Sequence, residues 1–268
     1  MRGRAPCAAA LLEPNTYEEA FINMSGHSKW NNIKRKKEKT DAQKAKIFTK
    51  VGREIAVAVK SGGADPAVNG KLRDLIAKAK SLNVPNDNIQ RIIKKAEGAE
   101  KDDYESITYE GYGPSGIAMM VETLTDNRNR TAGNLRHYFD KFGGNLGNSG
   151  CVSFLFTEQG VIVLDVEGKD EEAVMEDAFD AGADDFDMAD GVAEVTTSPD
   201  AFSEVRQALE EKGYEFISAD VAMVPSTRTA LTDPDDIKKM GLLLDHLEED
   251  DDVQNIWHNL ENEEDLDR

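Results

Sequence analysis

Apolar residues recur at helical spacing in three successive stretches between residues 41 and 98. Ile47, Phe48, Val51, Ile55, Ala58 and Val59 trace one face of a first helix. Thr40 or Asp41 supplies its cap, and Gly62-Gly63 ends it. Asp65-Pro66 is a cap followed by proline at the first helical position. It predicts the start of a second helix, with Leu72, Leu75, Ile76, Ala79 and Leu82 as its stripe. A third helix follows Pro85 and turns Ile89, Ile92, Ile93 and Ala96 inward before Gly98. Lysines and arginines fall mostly between these positions, so the pattern predicts a small bundle with a basic exterior.

From about residue 107 the period switches between strand and helix. Ile117 to Leu124 reads as a strand, and Leu135, Tyr138, Phe139 and Phe142 mark a helix closed by Gly143-Gly144. Val152 to Phe156 reads as another strand. Val161 to Val166 opens a new unit: a helix over about 170 to 181, two short strands near 185 to 196, a helix with Phe202, Val205 and Leu209, and a strand from Phe216 to Val224. That βαββαβ order is the ferredoxin-like arrangement. Asp233-Pro234 then starts a helix with Ile237, Met240, Leu244 and Leu247, and Val253 to Trp257 forms a last strand.

This last helix and strand are too little to fold alone, so they are expected to return to the sheet begun at 117 to 156. The expected architecture is α+β with three domains: an N-terminal three-helix bundle, then two ferredoxin-like α+β domains, one inserted into the other. The bundle spans 24–98, the middle domain 99–157 plus 223–260, and the inserted acidic domain 158–222. Residues 1–23 read as an extension outside the fold, with Met24 beginning the functional chain. Residues 261–268 read as a disordered tail.

With 268 residues, two or three domains are expected. No apolar run approaches the roughly 20 residues that span a bilayer, so no membrane partner is expected. Two cysteines, Cys7 and Cys151, cannot build a disulfide framework or a four-cysteine zinc site, and they suit a reducing, cytoplasmic setting. Charge changes the picture most. The net charge of −20 conceals +11 over residues 24–98 and −30 over residues 99–268. A basic head on an acidic body points to a polyanion partner at one end only.

Several motifs lead to no enzyme chemistry. Gly111, Gly113 and Gly116 spell G-x-G-x-x-G, but a strand follows where the dinucleotide fingerprint needs a helix, so a turn is expected. The acidic stretch 170–190 fails the calcium-loop pattern, since Ala189, Asp190 and Thr196 stand at positions 5, 6 and 12 counted from Asp185. Asp184-Asp185 and Glu171-Glu172 have no pocket marked around them. His27, His137, His246 and His258 are scattered, and Cys151 precedes an apolar strand. No cofactor, metal or catalytic residue is expected; the alternative of another class, an acidic metal-dependent hydrolase, has no ligand constellation to support it.

The positive signal is basic. Lys29, Lys34, Arg35, Lys36, Lys37 and Lys39 surround Trp30, which can stack on a base or anchor the segment. Lys44, Lys46, Lys50 and Arg53 extend the charge along the first helix. Residues 75 to 96 have the outline of a helix-turn-helix, with Asn83 in the turn and Arg91, Lys94 and Lys95 on the second helix. The polar stretch Thr125 to Thr131 adds Arg128 and Arg130, read either as a capping loop or as a second phosphate contact.

Met24-Ser25-Gly26-His27-Ser28-Lys29-Trp30 with Ile33-Lys34 resembles the N-terminal signature of the YebC family. Asp41, Lys44, Phe48, Gly62-Gly63, Leu82 to Ile89, Tyr109 to Pro114, Thr125 to Thr131 and Asp251 to Asn259 continue the likeness over about residues 24 to 260. Trp257 stands where the family pattern leads one to expect tyrosine. The resemblance implies a helical domain followed by two α+β domains, one inserted in the other. It implies a transcriptional regulatory protein that binds DNA, or a translation factor like the mitochondrial translational activators and the bacterial members linked to ribosomes stalled on consecutive prolines. The expectation is therefore a non-enzymatic regulator whose partner is promoter DNA or ribosomal RNA, with a monomer favoured and the oligomeric state left open by the sequence.

Overall fold

The computed structural model describes residues 41–98 and 104–266. The basic bundle comprises α1 (Asp41–Gly62), α2 (Gly70–Ser81) and α3 (Asn86–Gly98). Val51, Ile55, Ala58, Val59, Leu72, Leu75, Ala79, Ile89 and Ile93 form its core, as the periodicity predicts. The start of α2 differs from the expectation. Residues 65–68 form a turn, and the helix begins at Gly70 with Asn69 as its cap. Asp65 instead accepts the amide of Ala67, a local turn that ends before the helix. Asn69 is only 7% exposed. Its side-chain oxygen accepts from Leu72 N, while its amide donates to the carbonyls of Ala58 and Gly63. One residue thus caps α2, satisfies the orphan carbonyl of Gly63 past the end of α1 and ties itself to Ala58 in the last turn.

The middle domain contains β1 (Glu105–Tyr112), β2 (Ala118–Thr125), α4 (Arg128–Lys141) and the two-residue β3 (Asn145–Leu146). After the insertion come α7 (Pro234–Glu249) and β8 (Val253–His258), so the last helix and strand do return to the first sheet. Its sheet order is β3-β1-β2-β8 and every pairing is antiparallel. It opens with a hairpin, so it shares the two-layer build of a ferredoxin-like domain with a different strand order. β2 is buried on both faces from Ala118 to Val121, which explains the apolar run there before Glu122. Helices α4 and α7 cover the sheet through Leu135, Phe139, Met240, Leu243, Leu244 and Leu247.

The inserted domain contains β4 (Phe156–Asp165), α5 (Glu171–Asp180), β5 (Asp185–Ala189), β6 (Val192–Thr197), α6 (Phe202–Glu211) and β7 (Glu215–Pro225). Its sheet order, β5-β6-β4-β7, is the ferredoxin-like one. The chain enters on β4 and leaves on β7, and Phe156 pairs with Pro225. Entry and exit are adjacent, which is why one domain can sit inside another without disturbing it.

Two expectations need correction. Val152 to Phe156 is not a strand: Ser153–Leu155 is a 3-10 turn, and β4 starts at Phe156 and crosses the expected boundary at 157/158 unbroken. The segment after 260 is not a loose tail as far as Leu266. Glu263–Asp265 is a 3-10 turn, and Leu266 is 2% exposed in the middle-domain core. A single apolar residue among acids carries too little periodicity to reveal this.

The 3-10 turn is held by Glu110 on β1. Its buried carboxylate accepts the amides of Gly150, Val152 and Ser153. Burial pushes the carboxyl up, but these backbone bonds together outweigh that and hold it below the usual range. A depressed folded pKa means stability that is full above the ordinary carboxylate value and fades as the pH falls through the folded one. Glu110→Gln turns an NH2 group toward one of three amide donors and is expected to cost about 1–3 kcal/mol. Denaturant unfolding at neutral pH and at acid pH checks this, and the deficit should shrink on acidification.

Candidate nucleic-acid interface

The turn between α2 and α3 fits the helix-turn-helix outline. Asn83 adopts φ +60, the left-handed conformation that asparagine tolerates. The amide of Val84 bonds back to Ala79 O. Ile89, Ile93 and Ala96 of α3 face the core, and Arg91, Lys94 and Lys95 are exposed on the opposite side. The Arg91 guanidinium donates to Asn88 Oδ1 at 3.0 Å. Lys29, Trp30, Lys34, Arg35, Lys36, Lys37 and Lys39 lie outside the described residues, and Lys44 stands on α1 with its side chain outside them.

The expected outward projection does not hold for Lys46, Lys50 and Arg53. These α1 side chains turn to the C-terminal end of α7. Lys46 Nζ donates to Glu249 O at 3.3 Å and Lys50 Nζ to Glu248 O at 2.9 Å. Arg53 Nη1 donates to Asp251 O at 2.7 Å and lies 3.3 Å from Asp252 Oδ1. The physical reason is the helix end, where the last carbonyls lack intrahelical donors and form the negative pole of the dipole. Burial pulls the Lys50 pKa down against the opposing pull of Glu248, Asp250 and Asp251.

Arg130 is engaged in the same way. Its Nη2 lies 2.6 Å from Asp252 Oδ2 and 2.9 Å from Asp126 Oδ1. Asp252 also accepts from Thr131 at 2.8 Å and from Thr125 at 3.2 Å. Its side chain is 6% exposed. Burial pushes its carboxyl up, yet Arg130 and the two threonines hold it below the ordinary range. The stretch from Thr125 to Thr131 is thus first a capping loop, with Asn127 at the start of α4 accepting from Arg130 N. Arg128 is exposed, and its carbonyl accepts the Tyr109 hydroxyl.

The residue that sequence reasoning missed is Asp252, which joins Arg53 of the head to Arg130 of the body. A signal was present: Glu248 to Asp252 place five acids at a helix C-terminus, where the dipole disfavours them. Such a run calls for cations from elsewhere in the fold. A second junction ties α2 to the inserted domain. Lys78 lies 3.5 Å from Glu54 and 3.2 Å from Asp220, and Ser203 Oγ donates to Asp74 at 2.6 Å. A cleft of about 710 Å³ opens where the three domains meet, lined in part by Glu54, Lys78, Glu122, Asp220 and Trp257.

In the Gly111-Gly113-Gly116 motif, Gly111 lies within β1 against β3, and Gly113 to Gly116 form the turn into β2. A Cβ at Gly111 would lie 2.6 Å from Asn145 O, and Gly116 adopts φ +80. Among the described residues no group of three or more His, Cys, Asp or Glu could hold a metal ion. Among them, too, no helix is long and apolar enough to cross a membrane.

A basic helical head latched to an acidic α+β body defines a three-domain class. The chain belongs to the TACO1/YebC family: its residues 28–99 match the family's N-terminal domain and residues 104–260 its second and third domains. It is 59% identical over 238 residues to a "Probable transcriptional regulatory protein" of Acetivibrio thermocellus, covering 88% of this chain and 98% of the relative. A protein of the same name from Ruminiclostridium cellulolyticum is 60% identical over 243 residues, covering 90% and 98%. The crystal structure of a conserved hypothetical protein from Aquifex aeolicus matches with a TM-score of 0.75 at 42% identity, covering 83% of this chain and 92% of that one.

Proposed function

We propose that this chain is a non-enzymatic, nucleic-acid-binding regulator of gene expression in the cytoplasm, with promoter DNA as its target. The observation that carries this reading is the segregation of charge, +11 on the head against −30 on the rest of the chain from residue 99. Lysine and arginine on the head displace counterions from phosphate, while the acidic body is repelled and orients the protein. The contact surface is formed by Lys29, Lys34 to Lys37, Lys39 and Lys44, with Arg91, Lys94 and Lys95 on α3 and Arg128 from the middle domain. Trp30 stacks on a base or sugar. Relatives that carry the name "Probable transcriptional regulatory protein" support this reading.

A second reading is a translation factor held by ribosomal RNA, and one observation favours it. A helix-turn-helix reads base edges with the N-terminal residues of its second helix. Here that turn carries Asn86, Asp87 and Asn88, and the exposed Asp87 repels phosphate. Sedimentation of the native protein through sucrose gradients of lysate, at several salt concentrations, separates the two. Co-migration with ribosomes that weakens steeply with salt supports the RNA target. Absence from ribosomes with recovery of discrete duplex fragments on crosslinking supports promoter DNA. Failure to meet either nucleic acid overturns both.

A further inference from the structure

We propose that the protein masks part of its own nucleic-acid interface: the C-terminal end of α7 occupies the cationic face of α1 as a built-in competitor for phosphate, and a bound polyanion releases it. This rests on the basic domain being the nucleic-acid-binding surface.

The chemistry of the contact is that of phosphate recognition. Lys46, Lys50 and Arg53 each place a charged donor on an oxygen of the segment Glu248 to Asp252. These oxygens sit at the negative pole of a helix and among acidic side chains, so they present concentrated negative charge as a phosphodiester does. The same donors cannot serve both. Arg91, Lys94 and Lys95 stay exposed in the closed form, so a polyanion has a landing site before the latch opens.

Asp252 makes the two states separable. It is anchored to the middle domain by Arg130, Thr131 and Thr125. When Arg53 leaves, Asp252 keeps those partners, and opening strands no unpaired buried carboxylate. The ammonium of Lys50 regains water on opening, which relieves the burial that lowers its pKa. Each contact is of the partly exposed kind that contributes little alone, so a multivalent ligand can displace the set.

The test uses the full chain with Cys7→Ser and Cys151→Ser and dyes on introduced Gln90→Cys and Lys238→Cys. Both labelled positions are exposed. A roughly 20-nucleotide oligouridylate and a DNA duplex of about the same length serve as probes. The expected result is a fall in energy transfer that tracks binding. Binding of either probe with unchanged transfer overturns the proposal. In a second arm, Asp252→Asn removes the charge that holds both Arg53 and Arg130 but keeps an oxygen for Thr131. It should bind the probes about 2- to 5-fold tighter, and adding Arg53→Ala should cancel that gain. A gain that survives Arg53→Ala comes from Arg130 and overturns the proposal. Unchanged or weaker affinity in a variant that melts like the parent also overturns the proposal. Binding that appears only in the variant supports it. Binding by neither form instead removes the nucleic-acid reading of the head, and this inference falls with it.

Discussion

Reversing Lys34, Arg35, Lys36 and Lys37 to glutamate is expected to abolish binding to nucleic acid while leaving thermal unfolding of the acidic domains nearly unchanged. The four residues precede α1 and form the densest basic run in the chain. Each lysine or arginine that neutralises a phosphate adds about 0.9 to the slope of log affinity against log salt on duplex DNA, so four contacts contribute about 3.6. Reversal removes that and adds repulsion at the same place. The matching alanine variant should weaken binding less and show the shallower slope directly. If affinity survives reversal at moderate salt, the run before α1 is not the contact surface. The search then moves to Arg91, Lys94 and Lys95.

The largest expected loss of stability follows Phe139→Ala. Phe139 is fully buried at the centre of the middle-domain core. Its ring packs against backbone: a Cβ at Gly111 would stand 3.1 Å from Phe139 Cε1, and one at Gly144 3.2 Å from Phe139 Cδ1. Two glycines have no side chains to move into the space the ring leaves, so the cavity collapses poorly. The expected cost is therefore about 3–5 kcal/mol, the range for removing a buried phenyl group. Equilibrium unfolding followed by tryptophan emission checks it, because Trp257 lies on β8 in the same domain. A loss below about 1 kcal/mol would mean the site relaxes far more than its glycine walls suggest.

Much of the fold was legible because its signals are local. The stripe of Val51, Ile55 and Ala58, the Asp233-Pro234 start of α7 and the βαββαβ run all declare themselves within a few residues. Where the local pattern and the structure differ, a stronger partner lies elsewhere in the fold. Asp65-Pro66 has the form of a helix start, but Asn69 makes bonds to both α1 and α2 that Asp65 does not, and the helix begins there. Val152 to Leu155 is apolar enough for a strand, yet Glu110, some forty positions earlier, draws its amides into a turn. Leu266 hides in an acidic tail because its partners are in the middle-domain core.

The interface divides along the same line. The charge split between head and body, the exposed cations of α3 and the left-handed turn at Asn83 follow from residue order alone, since charge and helical phase are set by near neighbours. That Lys46, Lys50 and Arg53 face α7, and that Asp252 joins Arg53 to Arg130, is decided only by tertiary structure. Arg53 and Asp252 stand 199 positions apart. No local pattern says which acid a basic residue will meet when the cation needed by a helix end comes from a different domain.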